Sequence, residues 1–246
     1  MGTHERIFRF KQFSLRHEKS AMKIGMDGVL LGAWADVLHS HRLLDVGCGC
    51  GLIAAMCAQR SPGSTILAID IDQPSVEEAI LNFDTLPWKE RMEVLREDYL
   101  KLNPEGCCGK FDHIISNPPF FDSGVDNPDS ARLVSRHASV LSPLTLISHA
   151  GSLLVPGGRI SMVMPPLWLD GLQQEAATNG LKLSRLVKVV TCKGKPCKRI
   201  LVEYVKTPEN IETVADELFI YDDTPCGLKQ YSREYKTLTG DFYLQF

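Results

Sequence analysis

The stretch SNPPFF at residues 116–121 sets one amide and two consecutive prolines against two aromatic rings. Proline removes a hydrogen-bond donor and stiffens the chain, so this is a rigid, donor-poor turn. Asn-Pro occurs three times, at 103–104, 117–118 and 127–128, and a second double proline stands at 165–166. Only Asn117-Pro118-Pro119-Phe120 ends a strand-like run and continues into an aromatic residue. Upstream, LLDVGCGCG places Asp45, Gly47, Gly49 and Gly51 where a strand turns into a helix. Glycines there allow a tight turn and close approach of backbone to a ligand. A dinucleotide fingerprint would need a third glycine at position 52, which is Leu52. Asp45, an acid, would repel a pyrophosphate. AIDID ends the next strand, and its Asp70 is placed to accept from both hydroxyls of a ribose. Asp72, just before Pro74, reads as a helix cap. Asp98, after the third strand, is placed either to accept from a ligand or to cap a turn.

The elements that must hold these residues alternate. Strand-like runs at 42–47, 64–70, 92–98, 111–117 and 158–164 are interleaved with helical patterns. Helices are expected at 51–60, at 73–83 with Val76, Ala79, Ile80 and Phe83 on one face, from Ser142-Pro143, and at 168–178. Runs at 184–190 and 199–205, joined by TCKGKPCK, read as a hairpin. The fold class is therefore α/β: a doubly wound, mostly parallel, seven-stranded Rossmann-like sheet with an antiparallel edge hairpin. In such sheets ligands lie outside the carboxyl ends of the strands, which puts the tetrad 117–120 beside the glycine turn. With no linker apparent, 1–246 reads as a single domain: an N-terminal extension 1–40, a core 41–206 and a C-terminal segment 207–246. Asp27 is expected to cap a helix that carries MDGVLLGAWADVL.

The acid followed by Gly-x-Gly-x-Gly resembles motif I of S-adenosylmethionine-dependent methyltransferases. Asn117-Pro118-Pro119-Phe120 resembles the Asn/Asp-Pro-Pro-aromatic motif of amino-methyltransferases, whose targets are planar nitrogens with delocalised lone pairs. The resemblance implies that the Asn117 amide oxygen and the Pro118 carbonyl each accept one N–H of the target amine. Phe120 then gives a stacking face for a flipped base. Phe replaces the commoner Tyr, so no hydroxyl acts at 120. FRFKQFSL, AMKIGMDGVLLGAWA, SNPPFF and YSREYKTLTGDFYL together are similar to the bacterial tRNA1(Val) (adenine-37-N6)-methyltransferases over nearly the whole chain. That resemblance implies a cytoplasmic enzyme acting on the adenine next to the anticodon of a valine tRNA, in its anticodon arm. No stable protein partner is implied.

Charge agrees with a polyanionic partner met by one face. The net charge is −3, yet residues 182–206 carry +7 and residues 4–23 carry +4. Lys193, Lys195, Lys198 and Arg199 in the hairpin are expected to meet RNA phosphates. Arg6, Arg9, Lys11 and Arg16 are expected to join them from the N-terminal arm, whose Phe8, Phe10 and Phe13 read better as packing than as base platforms. Tyr231, Tyr235, Phe242 and Tyr243 likewise read as C-terminal packing. The loop 122–133 is expected to order when the target base enters. Eight cysteines form no metal-ligand framework, which points to reduced thiols and no metal. No apolar run approaches the roughly 20 residues that span a bilayer. The competing readings are a protein-glutamine methyltransferase, an RNA-binding module without turnover, and a nicotinamide oxidoreductase, which Leu52 disfavours.

Overall fold

The computed structural model describes residues 6–105, 110–119, 141–222 and 230–246. After an antiparallel pair, β1 (Ile7–Arg9) and β2 (Ser14–Arg16), the chain enters α1 (Met26–Trp34). It then alternates β3 (Arg42–Val46), α2 (Leu52–Arg60), β4 (Thr65–Asp70), α3 (Gln73–Phe83) and β5 (Met92–Arg96). β6 (Phe111–Ser116), α4 (Pro143–Leu153), β7 (Leu154–Met164) and α5 (Leu169–Thr178) follow. β8 (Leu181–Val190), β9 (Cys197–Lys206), β10 (Val214–Phe219) and α6 (Arg233–Thr239) complete the main elements.

The central sheet has the order β10-β8-β9-β7-β6-β3-β4-β5, and only β9 runs against its neighbours. Alternation along each strand feeds two cores. Leu43, Ile66, Ala68 and Ile115 face α1, α2 and α3, whereas Leu44, Leu67, Ile69 and Ile114 face α4 and α5. Burial on both faces is what the continuous apolar runs require.

Two expectations need correction. Among the described residues the sheet has eight strands, and the hairpin β8–β9 is not its edge, because β10 pairs in parallel outside β8. Most of β10 is exposed and it carries Asp216 and Glu217, so its sequence lacks the apolar signal of a buried strand. Charged edge strands of this kind resist pairing with other chains. The second correction concerns α1, whose cap is Gly25 in extended backbone; Asp27 already lies in the first turn.

Two close packings set the glycine turn. A Cβ on Gly28 would lie 3.0 Å from Leu52 Cδ2, and one on Gly32 would lie 2.8 Å from Met56 Sδ, so α1 sits tightly on α2. Gly51 caps α2 with φ of 84°, and a Cβ there would stand 2.4 Å from Phe83 Cε1. Left-handed backbone costs an ordinary residue about 1–2 kcal/mol, and overpacking costs about as much again. Gly51→Ala should therefore lower stability in urea by about 2 kcal/mol or more. Gly63→Ala, where a Cβ meets nothing within 4 Å, should stay within about 0.5 kcal/mol.

Candidate active site

Strand order reverses between β3 and β6: the chain runs outward through β4 and β5, then returns to the other side of β3. Crevices at such switch points hold the ligands of doubly wound sheets. Asp45 aligns with Ile115 and Val46 with Ser116, so the glycine turn and Asn117 leave adjacent strand ends. Ser116 Oγ donates to the Val46 carbonyl at 2.8 Å and pins the two ends together.

Each side of this crevice carries a buried oxygen without a partner. Asp45 Oδ2 accepts the Ala54 N–H at 2.9 Å, while its Oδ1 accepts nothing. Asn117 Oδ1 is likewise buried and unpartnered. Leaving a buried acceptor unsatisfied costs about 1–3 kcal/mol, so two of them on adjacent strand ends at the switch point are candidates to receive a ligand's donors. Gly47 and Gly49 have φ of 69° and 55°, and a Cβ on either would meet nothing within 4 Å. The open space above the turn is available to a ligand.

Asp70 shapes the same turn. Its Oδ2 accepts the Gly49 N–H at 2.9 Å and its Oδ1 accepts the Asp72 N–H at 3.0 Å. Each carboxylate oxygen has a second lone pair, which leaves capacity for a ribose hydroxyl. Asp72 caps α3 through Ser75, as its place before Pro74 implies. Asp98 also caps: its Oδ1 accepts the Leu100 N–H at 3.0 Å at the start of a short 3-10 turn. Burial pushes the Cys48 thiol well up and the Cys50 thiol to about 12, so both sit in the turn as neutral packing groups.

Pro118 is buried and Pro119 exposed, and Phe120 and the loop 122–133 lie outside the described residues. β8 runs parallel to β7 and β6, so the turn 191–196 emerges at the same edge as Asn117. Lys193, Lys195 and Lys198 are exposed there. Arg199 differs, because its Nε donates to Asp27 Oδ2 at 2.8 Å and ties β9 to the start of α1. Three more hairpin cations serve the fold. Arg185 lies over the Trp34 ring at 4.1 Å and reaches buried Glu203 at 3.4 Å. Lys182 Nζ donates to the Asn210 side chain, and Lys206 Nζ to the Gly151 and Leu154 carbonyls.

In the arm, Arg6, Arg9, Lys11 and Arg16 are exposed, and Lys11 Nζ donates to the Gly240 carbonyl at 2.6 Å. Phe10 and Phe13 are buried, and Phe8 packs on Phe10 and Tyr243. Tyr231, Tyr235, Phe242 and Tyr243 pack with them or with one another, which matches the packing reading. Sequence reasoning missed Glu78 and Asn82, which are buried on α3 although Ile80, expected inside, is exposed. Among the described residues no group of three or more His, Cys, Asp or Glu is placed to hold a metal, and no helix is long and apolar enough to cross a membrane.

A family model described as the methyltransferase small domain matches residues 27–167. A protein of Bacteroides thetaiotaomicron named tRNA1(Val) (adenine(37)-N6)-methyltransferase is 40% identical over 97% of this chain and 97% of its own length. A Vibrio vulnificus protein of the same name is 39% identical over 97% of this chain and 95% of its own. Among solved structures, a predicted O-methyltransferase of Agrobacterium tumefaciens aligns with a TM-score of 0.65 at 18% identity. It spans 88% of this chain and 96% of that one, a likeness of fold alone.

Asp45 makes the site pH-sensitive. Burial raises its carboxyl to about 7; the Ala54 N–H acts against that shift and the Asp70 charge adds to it. A folded value above the unfolded 3.8 favours the protonated form, whose stabilisation is complete below about pH 4 and lost as pH rises through 7. Asp45→Asn should thus stabilise the ligand-free protein by roughly 2–4 kcal/mol at pH 8, with the gain shrinking towards pH 4. Urea denaturation at both pH values checks this. The same variant should bind a methyl donor at least about tenfold more weakly by calorimetry.

Proposed function

The chain belongs to the family of the tRNA1(Val) (adenine(37)-N6)-methyltransferases, and we propose that it methylates the exocyclic N6 of adenine 37, next to the anticodon of a valine tRNA. The methyl donor is S-adenosylmethionine. Buried, unpartnered oxygens at Asp45 and Asn117, on adjacent strand ends, carry this reading.

Asp45 Oδ1 takes the ammonium of the donor's amino acid end, and the open glycine turn lets the backbone lie against the donor. Asp70 accepts from the ribose while holding Gly49. We assign Asp98 to the adenine amine of the donor through the carboxylate capacity that its cap leaves over. Bound there, S-adenosylmethionine supplies an electrophilic methyl group on a sulfonium. The target nitrogen is a poor nucleophile because its lone pair is shared with the purine ring. Asn117 Oδ1 and the Pro118 carbonyl accept its two N–H bonds and stabilise the positive charge that builds on nitrogen. Pro118 and Pro119 hold both acceptors with little freedom, so orientation is established before the base arrives. Once it carries the methyl the nitrogen turns acidic, and its surplus proton passes to water. Phe120 stacks on the extruded base.

Lys193, Lys195 and Lys198 meet phosphates of the anticodon arm, with Arg6, Arg9, Lys11 and Arg16 completing a basic path from the N-terminal arm. Arg199 acts through its ion pair with Asp27 instead. Exposed cations on the edge that holds Asn117 favour RNA over a glutamine side chain as substrate. The protein then works as one domain in the cytoplasm, where its tRNA is.

Incubation with labelled S-adenosylmethionine and unmodified tRNA should yield N6-methyladenine at position 37. Asn117→Ala should lower kcat by about a hundredfold or more while donor affinity stays within about threefold. Retained turnover in that variant would remove Asn117 from the chemistry. Replacing Lys193, Lys195 and Lys198 together by Ala should weaken tRNA binding and reduce the slope of log K against log salt by about 2–3. An unchanged slope would move the RNA path elsewhere.

A further inference from the structure

α3 buries two polar side chains one turn apart, and both point at main chain far away in sequence. The Glu78 carboxylate accepts the N–H groups of Glu18, Lys19 and Ser20 at 2.6, 2.9 and 2.9 Å. Burial alone would raise its carboxyl, but the N–H groups of Lys19, Ser20 and Glu18 hold it below the ordinary value. Asn82 Oδ1 accepts the Arg16 N–H at 2.8 Å. Its Nδ2 donates at 2.9 Å to the Arg16 carbonyl and at 2.8 Å to the Cys50 carbonyl. Both ends of the Asn82 amide are therefore committed to two segments, the N-terminal arm and the glycine turn. Next to it, Phe83 presses on Gly51, so α3 holds the turn by contact and by hydrogen bond.

Beyond this clamp the chain leads directly into α1, where Gly28 rests on Leu52, the first residue after the turn. Lys23 closes the connection by donating to the Glu18 and Ser20 carbonyls. The arm thus bears on the glycine turn at two points, through Asn82 at Arg16 and through α1 at Gly28.

We infer that Asn82 is a positioning residue that transmits docking of the N-terminal arm to the glycine turn, so that the docked arm and the bound methyl donor stabilise each other. This rests on reading the turn as the methyl-donor site. Coupling of this kind is reciprocal and falls between about 5- and 150-fold. Because the arm carries Arg6, Arg9, Lys11 and Arg16, contact with RNA would also tighten the donor site.

Hydrogen exchange of the wild-type protein tests the inference without any substitution. Adding S-adenosylhomocysteine should slow exchange of the Arg16, Glu18, Lys19 and Ser20 amides by about tenfold; unchanged rates there would overturn it. Calorimetry of a double-mutant cycle gives an independent test. Glu78→Ala should weaken S-adenosylhomocysteine binding about fivefold in the wild-type background and not at all in Asn82→Ala. Equal weakening in both backgrounds would show that Asn82 transmits nothing. In turnover assays Asn82→Ala should raise the donor KM and leave kcat within twofold, whereas a fall in kcat alone would mean general loss of structure. Exchange and calorimetry use no RNA, so a failure of tRNA methylation would leave both of those results standing.

Discussion

Two oxygens buried without partners, Asp45 Oδ1 and Asn117 Oδ1, are the constraint around which the molecule is built. Each costs free energy in the ligand-free state, and neither can escape to solvent. Holding them in place requires strands that do not move relative to one another. The sheet meets that requirement by burying both faces, with Leu43 and Leu44, Ile66 and Leu67, and Ile114 and Ile115 feeding opposite cores. The Ser116 hydroxyl then locks the two critical strand ends laterally. Stability in the body of the sheet offsets a deficit at its edge, as expected where a site is kept ready for a ligand.

Charge is distributed by the same logic. The hairpin reads in sequence as one basic segment, but its cations divide by position. Arg185, Lys182, Lys206 and Arg199 are turned inward or along the surface to carboxylates and carbonyls. Lys193, Lys195 and Lys198 stay exposed at the tip, on the carboxyl edge of the parallel strands. The exposed tip cations thereby stand at the edge that holds Asn117. Arg199 is engaged instead with Asp27, and this ion pair fastens β9 to the start of α1.

α3 shows how an N-terminal extension is fastened to the body of a fold. Its apolar face holds Val76, Ala79 and Phe83 against the body, while Glu78 and Asn82 look towards the arm. A carboxylate that accepts three main-chain N–H groups is a strong, charge-assisted anchor. The arm in turn carries its aromatic residues inward, where Phe10 and Phe13 stack at 4.7 Å between centroids. Packing holds the arm to the body, and hydrogen bonding aligns it with the glycine turn.

The alternation of strand and helix, the glycine turn after Asp45, the cap at Asp72, the helix start at Ser142-Pro143 and the placing of Asn117 at a strand end were all legible in the sequence. Each rests on local physics: a side-chain period, a glycine at positive φ, or a proline that ends a run. Tertiary structure alone decided that β10 closes the sheet outside the hairpin, that Gly25 rather than Asp27 caps α1, and that Arg199 is engaged. It alone decided that Glu78 and Asn82 are buried while Ile80 is exposed. The engagement of Glu78, Asn82 and Arg199 depends on partners 58 to 172 residues away: Ser20, Arg16 and Asp27 respectively. No local pattern encodes whether a polar side chain finds such a partner, because that depends on which distant segments the fold brings together.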